Sequence, residues 1–150
     1  YPHGDTTDTS AAYLAQAFAA HIPGFDLGKA KRWAHFNMWR SITPPPQDYP
    51  LAVCDARSIG PGDGVTVVAE TVTRSTGAFS FDTTGYLHNP DHRWCYFRDM
   101  TPHEVLVFKT HDSDPARAHQ VAHTAFLDPG CPPGTPTRGS VEMRAFVVFE

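Results

Sequence analysis

The side chains able to do chemistry gather at the two ends of this 150-residue sequence. At the start, His3 and Asp5 stand two apart. In an extended segment alternate side chains share a face, so both would project from one side. A His-x-Asp pair of this kind can supply two legs of the 2-His-1-carboxylate set that holds non-heme Fe(II). The same spacing also arises by accident in a loose terminus. Near the other end, Arg138, Ser140, Glu142 and Arg144 fall on one face if the run to Phe149 is a strand. Two guanidiniums and a hydroxyl pointing one way make a fork for a carboxylate, although a solvated polar face on an edge strand reads the same. Between these ends, His123 sits in a short apolar-flanked segment ahead of a Pro/Gly-rich turn. His119 and His123 are four apart and would share an ion only if that stretch were helical.

The elements that must position these groups are mostly strands. Residues 11–22 predict the one clear helix, capped by Thr9 or Ser10, rich in alanine and ended by Pro23-Gly24. Tyr13, Leu14, Ala17 and Phe18 form the apolar stripe expected to face a sheet. Residues 31–42 read as a strand with Trp33, His35, Asn37 and Trp39 on one face and Ala34, Phe36, Met38 and Arg40 on the other. Neither face is purely apolar, which suits a strand lining a pocket and equally a central strand with a satisfied His and Asn. Residues 51–59 predict a short strand carrying Asp55 and Arg57 as partners of each other or of Arg40. Residues 65–73 alternate strongly, and 75–88 are turn-rich. Further strands are expected within 89–98, with His92, Trp94 and Tyr96 on one side, and over 105–111. One helix and about seven closely spaced strands predict a single β sandwich or barrel domain over residues 1–150 with the helix outside.

Composition narrows the function classes. Hydrophobic content of 41% and charged content of 19% are ordinary for a globular chain. The net charge of −4, without a Lys/Arg cluster, argues against nucleic acid or an anionic membrane as the main partner. No apolar run approaches the ~20 residues of a membrane helix, and no signal-peptide pattern opens the sequence. Three widely spaced cysteines, Cys54, Cys95 and Cys131, fit reduced thiols in a cytoplasmic protein. Nine histidines make a metal site worth seeking. The absence of an initiator Met predicts a fragment or an excised domain.

Six ordered blocks carry a resemblance: Asn37-Met38-Trp39-Arg40, Pro50 to Ser58, His92 to Phe97, Met100 to Lys109, His123-Thr124-Ala125-Phe126 and Arg138 to Arg144. Over nearly its whole length the sequence resembles the fungal and bacterial hydroxylase/desaturase family that includes the aspergillic acid hydroxylase, a gibberellin desaturase and the small subunit of cephalosporin 7α-methoxylation. The resemblance implies a mainly β double-stranded β-helix (jelly-roll, cupin-like) core with an N-terminal-side helix packed outside. It implies a non-heme Fe(II)/2-oxoglutarate-dependent dioxygenase that hydroxylates or desaturates a small, secondary-metabolite-type substrate, with O2 as the other cosubstrate. His3, Asp5 and His123 match the places of the iron ligands. Arg144 is the first choice for the far carboxylate of 2-oxoglutarate, with Arg138 and Ser140 as a close second. Trp33, Asn37, Trp39, Arg40 and Tyr96 are candidates for the substrate wall. Relatives carry a substantial segment ahead of the His-x-Asp motif. Two rival readings stand beside this one. The first is a cupin-like metal enzyme with non-redox chemistry. The second is a non-catalytic β-sandwich interaction module, in which His3, Asp5 and His123 would lie too far apart to share an ion. The sequence leaves the oligomeric state open.

Overall fold

Two antiparallel sheets and one helix make up the computed structural model, which describes residues 1–73 and 77–149. In chain order the elements are β1 (His3–Gly4), α1 (Asp8–Ala19), β2 (Arg32–Ser41), β3 (Leu51–Cys54), β4 (Gly64–Thr73), β5 (Gly77–Tyr86), β6 (Trp94–Tyr96), β7 (Leu106–Asp112), β8 (His123–Ala125) and β9 (Ser140–Phe149). The larger sheet runs β4-β5-β1-β8-β3-β6 and the smaller β7-β2-β9. Their inner faces meet around Trp39, Met100 and Phe108, with Leu51, Leu106 and Val121 packed against them. Two antiparallel sheets closing on one core fit the sandwich that the strand pattern predicts and the jelly roll that the resemblance implies.

Strand β2 is the spine of the smaller sheet. It pairs along its whole length with β9, from Arg32 opposite Phe149 to Ser41 opposite Ser140. The expected alternation holds: His35, Asn37 and Trp39 are buried, while Arg40 is exposed on the other face. Because directly paired residues point to the same side, Asn37 stands beside Arg144 and Trp39 beside Glu142. One end of this sheet is anchored by Asp112, whose fully buried carboxylate accepts from Arg32 Nε at 2.9 Å and Nη2 at 2.7 Å and from Lys109 Nζ.

Four local expectations change. The helix begins at Asp8, three residues early, and its cap is Thr7. Thr7 Oγ1 accepts from the Ser10 amide while Ser10 Oγ accepts from the Thr7 amide, a capping box that places Ser10 inside the helix. Its buried face is Ala11, Ala15 and Ala19; Tyr13 is 72% exposed and Phe18 half-exposed. Small side chains let the helix lie close to the sheet, which a stripe of large ones would prevent. The strand expected over 51–59 stops at Cys54, where Asp55 caps a one-turn 3-10 helix, Ala56–Ser58. Asp55 does pair with Arg57, at 2.9 and 2.7 Å, and Arg93 joins them, whereas Arg40 does not. Finally, the stretch expected to be turn-rich over 75–88 holds the ten-residue strand β5, paired throughout with β4; Ser75 and Thr76 lie outside the described residues. No described helix is long and apolar enough to cross a membrane.

Candidate metal centre

The two strands that carry the histidines lie side by side. β1 is held between β5 and β8, and its register puts His3 directly opposite His123. The ring centroids are 4.4 Å apart. Asp5, just beyond β1, turns into the same space: its Oδ1 is 3.9 Å from His3 Nε2 and 3.5 Å from His123 Nε2. Two imidazole nitrogens and one carboxylate oxygen thus converge within 4.8 Å of one another. The glycine between His3 and Asp5 is required by space. A Cβ on Gly4 would lie 2.4 Å from Gln120 Cδ. That amide is pinned by bonds to the Thr6 and Thr110 carbonyls, at 2.6 and 3.1 Å, and by the Tyr86 hydroxyl at 2.8 Å.

Each converging group is oriented from behind. The Nδ1 of His3 lies 3.0 Å from the Tyr1 carbonyl, and that of His123 lies 3.1 Å from the Val121 carbonyl. A carbonyl only accepts, so each Nδ1 carries a proton and each Nε2 faces the shared space, where it is placed to ligate an ion once deprotonated. Asn37 Nδ2 donates to Asp5 Oδ2, leaving Oδ1 facing the histidines. Asn37 itself is fully buried and its Oδ1 has no partner among the described residues. This is the outer-shell arrangement that fixes metal ligands in proteins.

Charge within the cluster is uneven. Burial pushes the Asp5 carboxyl up, but the hydrogen bond and charge of His123 beside it, with Arg144 and Asn37, hold it down at about 2. Burial lowers His123, and Asp5 more than reverses that, so His123 titrates above its ordinary value. His3 goes the other way, chiefly through burial. Glu142 is raised, first by burial and then by the negative charge of Asp5.

The two arginines occupy different settings. Arg144 Nη2 is 3.6 Å from Asp5 and its Nε 3.3 Å from Glu142, with the side chain half exposed, so its charge is already matched by two carboxylates. Arg138 precedes β9. Its guanidinium lies over the Trp39 ring at 5.2 Å and its Nε donates to the Tyr49 carbonyl. Nη1 of Arg138 is buried with no partner among the described residues, and burial lowers the group below its ordinary value. Trp39 packs with Phe108, whose ring is 4.8 Å from that of His123, so Arg138 is linked to the histidines through two aromatic side chains.

The five residues expected on a substrate wall are not gathered into one. Asn37 backs Asp5 and Trp39 is core. Arg40 points away from both, because it is odd in register with them. Trp33 stacks on His111 at 4.9 Å, and Tyr96 meets Phe126 at 5.0 Å on β6. A cavity of about 680 Å3 instead opens beside Asp5 and Arg144, between α1 and the β4–β5 hairpin, lined by Tyr13, Leu14, Phe79 and Phe81 among others. Sequence reasoning missed Phe79 and Phe81 because it read their stretch as turns. Their i, i+2 spacing in a β-branched and aromatic context is the signal that marks one face of a strand.

The chain is similar to known proteins over most of its length. Residues 1–148 match the family model described as an oxidoreductase/YMDC permease-like domain. The hydroxylase/desaturase asaB of Aspergillus flavus is 36% identical over 79% of this chain and 56% of its own length. The hydroxylase/desaturase efuI of Hormonema carpetanum is 35% identical over 99% of this chain and 51% of its own. Among solved structures, the iron and alpha-ketoglutarate-dependent endoperoxidase NvfI superposes with a TM-score of 0.80 at 29% identity, covering 99% of this chain and 52% of that one. The chain spans about half the length of the curated relatives it matches. By the family model matched over residues 1–148, the chain belongs to the oxidoreductase/YMDC permease-like domain family, and by sequence and fold it is similar to the hydroxylase/desaturases asaB and efuI and to the iron and alpha-ketoglutarate-dependent endoperoxidase NvfI.

Proposed function

We propose that the chain carries the iron and 2-oxoglutarate machinery of an oxygenase that hydroxylates or desaturates a small molecule of secondary-metabolite type. The observation that carries this reading is the convergence of His3 Nε2, Asp5 Oδ1 and His123 Nε2, each with its opposite atom already hydrogen-bonded to the protein. The donor set fits a ferrous ion: two neutral imidazoles and one carboxylate, with the remaining positions open to ligands. The interaction-module reading needs these three groups apart, and they are together. Residues 1–150 are read as one β-helix domain of the enzyme.

Bound ferrous iron would supply the redox chemistry, coupling oxidative decarboxylation of 2-oxoglutarate by O2 to hydrogen removal from an unactivated C–H bond. The chain's own residues supply binding and exclusion. Arg138 is the preferred partner for the far carboxylate of 2-oxoglutarate. Its buried terminal nitrogen is unpartnered among the described residues, the guanidinium lies over the Trp39 ring, and Ser140 stands two residues on. Arg144, the first choice from sequence, is proposed instead to hold Asp5 ionised and to border the substrate cavity. The aromatic and aliphatic lining from Tyr13, Leu14, Phe79 and Phe81 suits an apolar substrate skeleton. The three free cysteines fit a reducing, cytoplasmic setting.

The test is an anaerobic titration of the full-length enzyme with Fe(II) and 2-oxoglutarate, following the weak visible charge-transfer band of the chelate. The band is expected in the wild type and absent in His123→Ala. A metal-loaded wild type with no band and no succinate formation in air would refute the oxygenase reading and leave a non-redox metal enzyme.

A further inference from the structure

A second group of two histidines and a carboxylate lies outside the site just described. Asp8 is the first residue of α1, His111 is near the end of β7, and His119 lies in the connection that leads to β8. Asp8 Oδ1 is 2.8 Å from His119 Nε2 and 3.7 Å from His111 Nδ1, and the three ligand atoms lie within 4.8 Å of one another. The His111 and His119 rings meet edge to face at 4.6 Å.

His111 is the telling member. Its side chain is 7% exposed, held by a stacked Trp33 at 4.9 Å, and among the described residues its ring makes no hydrogen bond within reach. Asp8 Oδ1, the carboxylate oxygen beside its Nδ1, stands at 3.7 Å, beyond hydrogen-bonding distance. A buried imidazole ordinarily finds a partner. Here it points its Nδ1 at an exposed carboxylate and a half-exposed imidazole, both free to shift by the small amount that coordination would require.

We propose that Asp8, His111 and His119 form a second binding site for a divalent first-row transition ion of the zinc type. Two imidazole nitrogens and one carboxylate oxygen are a standard tetrahedral zinc set, completed by water on the open side. The ion would tie the first turn of α1 to β7 and to the segment that delivers His123. The site draws on none of the oxygenase chemistry. The two sets use neighbouring residues of the same two segments, Asp5 with Asp8 and His123 with His119, but each ligand belongs to one set only.

The test counts metal in the full-length enzyme. Chelator-stripped protein is dialysed against buffered Zn2+ and the bound zinc per chain is measured. His119→Ala and Asp8→Asn alter exposed groups, so both variants should fold. The expected result is the loss of one zinc equivalent in each relative to wild type, or at least a ~100-fold weaker affinity for that equivalent. A zinc count and affinity unchanged in both variants would overturn the proposal, leaving Asp8 and His119 as an ordinary ion pair at a helix start. His123→Ala, by contrast, should lose the equivalent held by the other site and keep this one. That makes failure here distinct from failure of the iron site.

Discussion

The assignment of the two arginines can be decided by their removal. Arg138 Nε is committed to the Tyr49 carbonyl, which leaves the two terminal nitrogens for a ligand carboxylate. Nη1 is already buried without a partner, so the cost of desolvating it is borne whether or not 2-oxoglutarate is present. A charge-assisted hydrogen bond contributes about 1.5–3 kcal/mol. Two of them, partly compensated by water in the variant, give a loss of about 3 kcal/mol on Arg138→Gln. At 1.4 kcal/mol per factor of ten, the Kd for 2-oxoglutarate should rise roughly 100-fold. Arg138→Lys should recover little of this, because an ammonium keeps the charge and loses the fork. Arg144→Gln removes a half-exposed guanidinium whose charge is matched by Asp5 and Glu142. It should change 2-oxoglutarate affinity by less than about fivefold, since exposed pairs contribute ~1 kcal/mol or less. Isothermal titration of the Mn(II)-loaded full-length enzyme reads both numbers without turnover. If Arg144→Gln weakens 2-oxoglutarate more than Arg138→Gln does, the argument from the unpartnered nitrogen is wrong and Arg144 is the fork.

Further outcomes follow from the surroundings of the site. Asn37→Ala frees Asp5 Oδ2 from its donor and should weaken metal binding about 10- to 100-fold, measured by competition with a chelating dye. Gly4→Ala must drive the Gln120 amide from its three partners, at about 1–3 kcal/mol, visible as a lower Tm together with weaker metal binding. Asp112→Asn leaves Arg32 and Lys109 facing a neutral amide in a buried position, and chemical denaturation should show a loss of about 3–5 kcal/mol. Arg32, then Lys109, hold the Asp112 carboxyl below its ordinary value in the folded state. Its contribution is therefore complete above about pH 4, the unfolded value, and is lost as pH falls toward the lower folded one. Acid denaturation of Asp112→Asn should lack that part of the limb.

What the sequence disclosed depended on range. Local period is readable in β2, which buries His35, Asn37 and Trp39 on one face, whereas the face expected from Arg138 to Arg144 begins only at Ser140 and leaves Arg138 ahead of β9. The His-x-Asp spacing was readable too, since both residues lie in one short segment. Its third partner, His123, is named by the family resemblance and not by local spacing. Nothing in the local pattern separates His123 from His119, and only the pairing of β1 with β8 sends one to each cluster. The start of α1 was misjudged because Ser10 is chemically as good a cap as Thr7, and the choice is made by Ser10 Oγ also donating to the Asp82 carbonyl across the fold. β5 was missed because its Gly, Ser, Thr and Asp content favours turns locally, whereas ten residues of ladder with β4 override that preference.

The smallest strand has a kinetic consequence. β1 offers two residues of pairing, yet it supplies His3 and leads directly to Asp5. It is paired on both sides but over so short a length that it can open while the long ladders stay closed. One such opening removes two of three ligands together. Release of the ion and detachment of the first strand are then a single event, with one rate. Bound metal would slow amide hydrogen exchange at His3 and Gly4 in proportion to its occupancy. Those amides would report how long the iron stays.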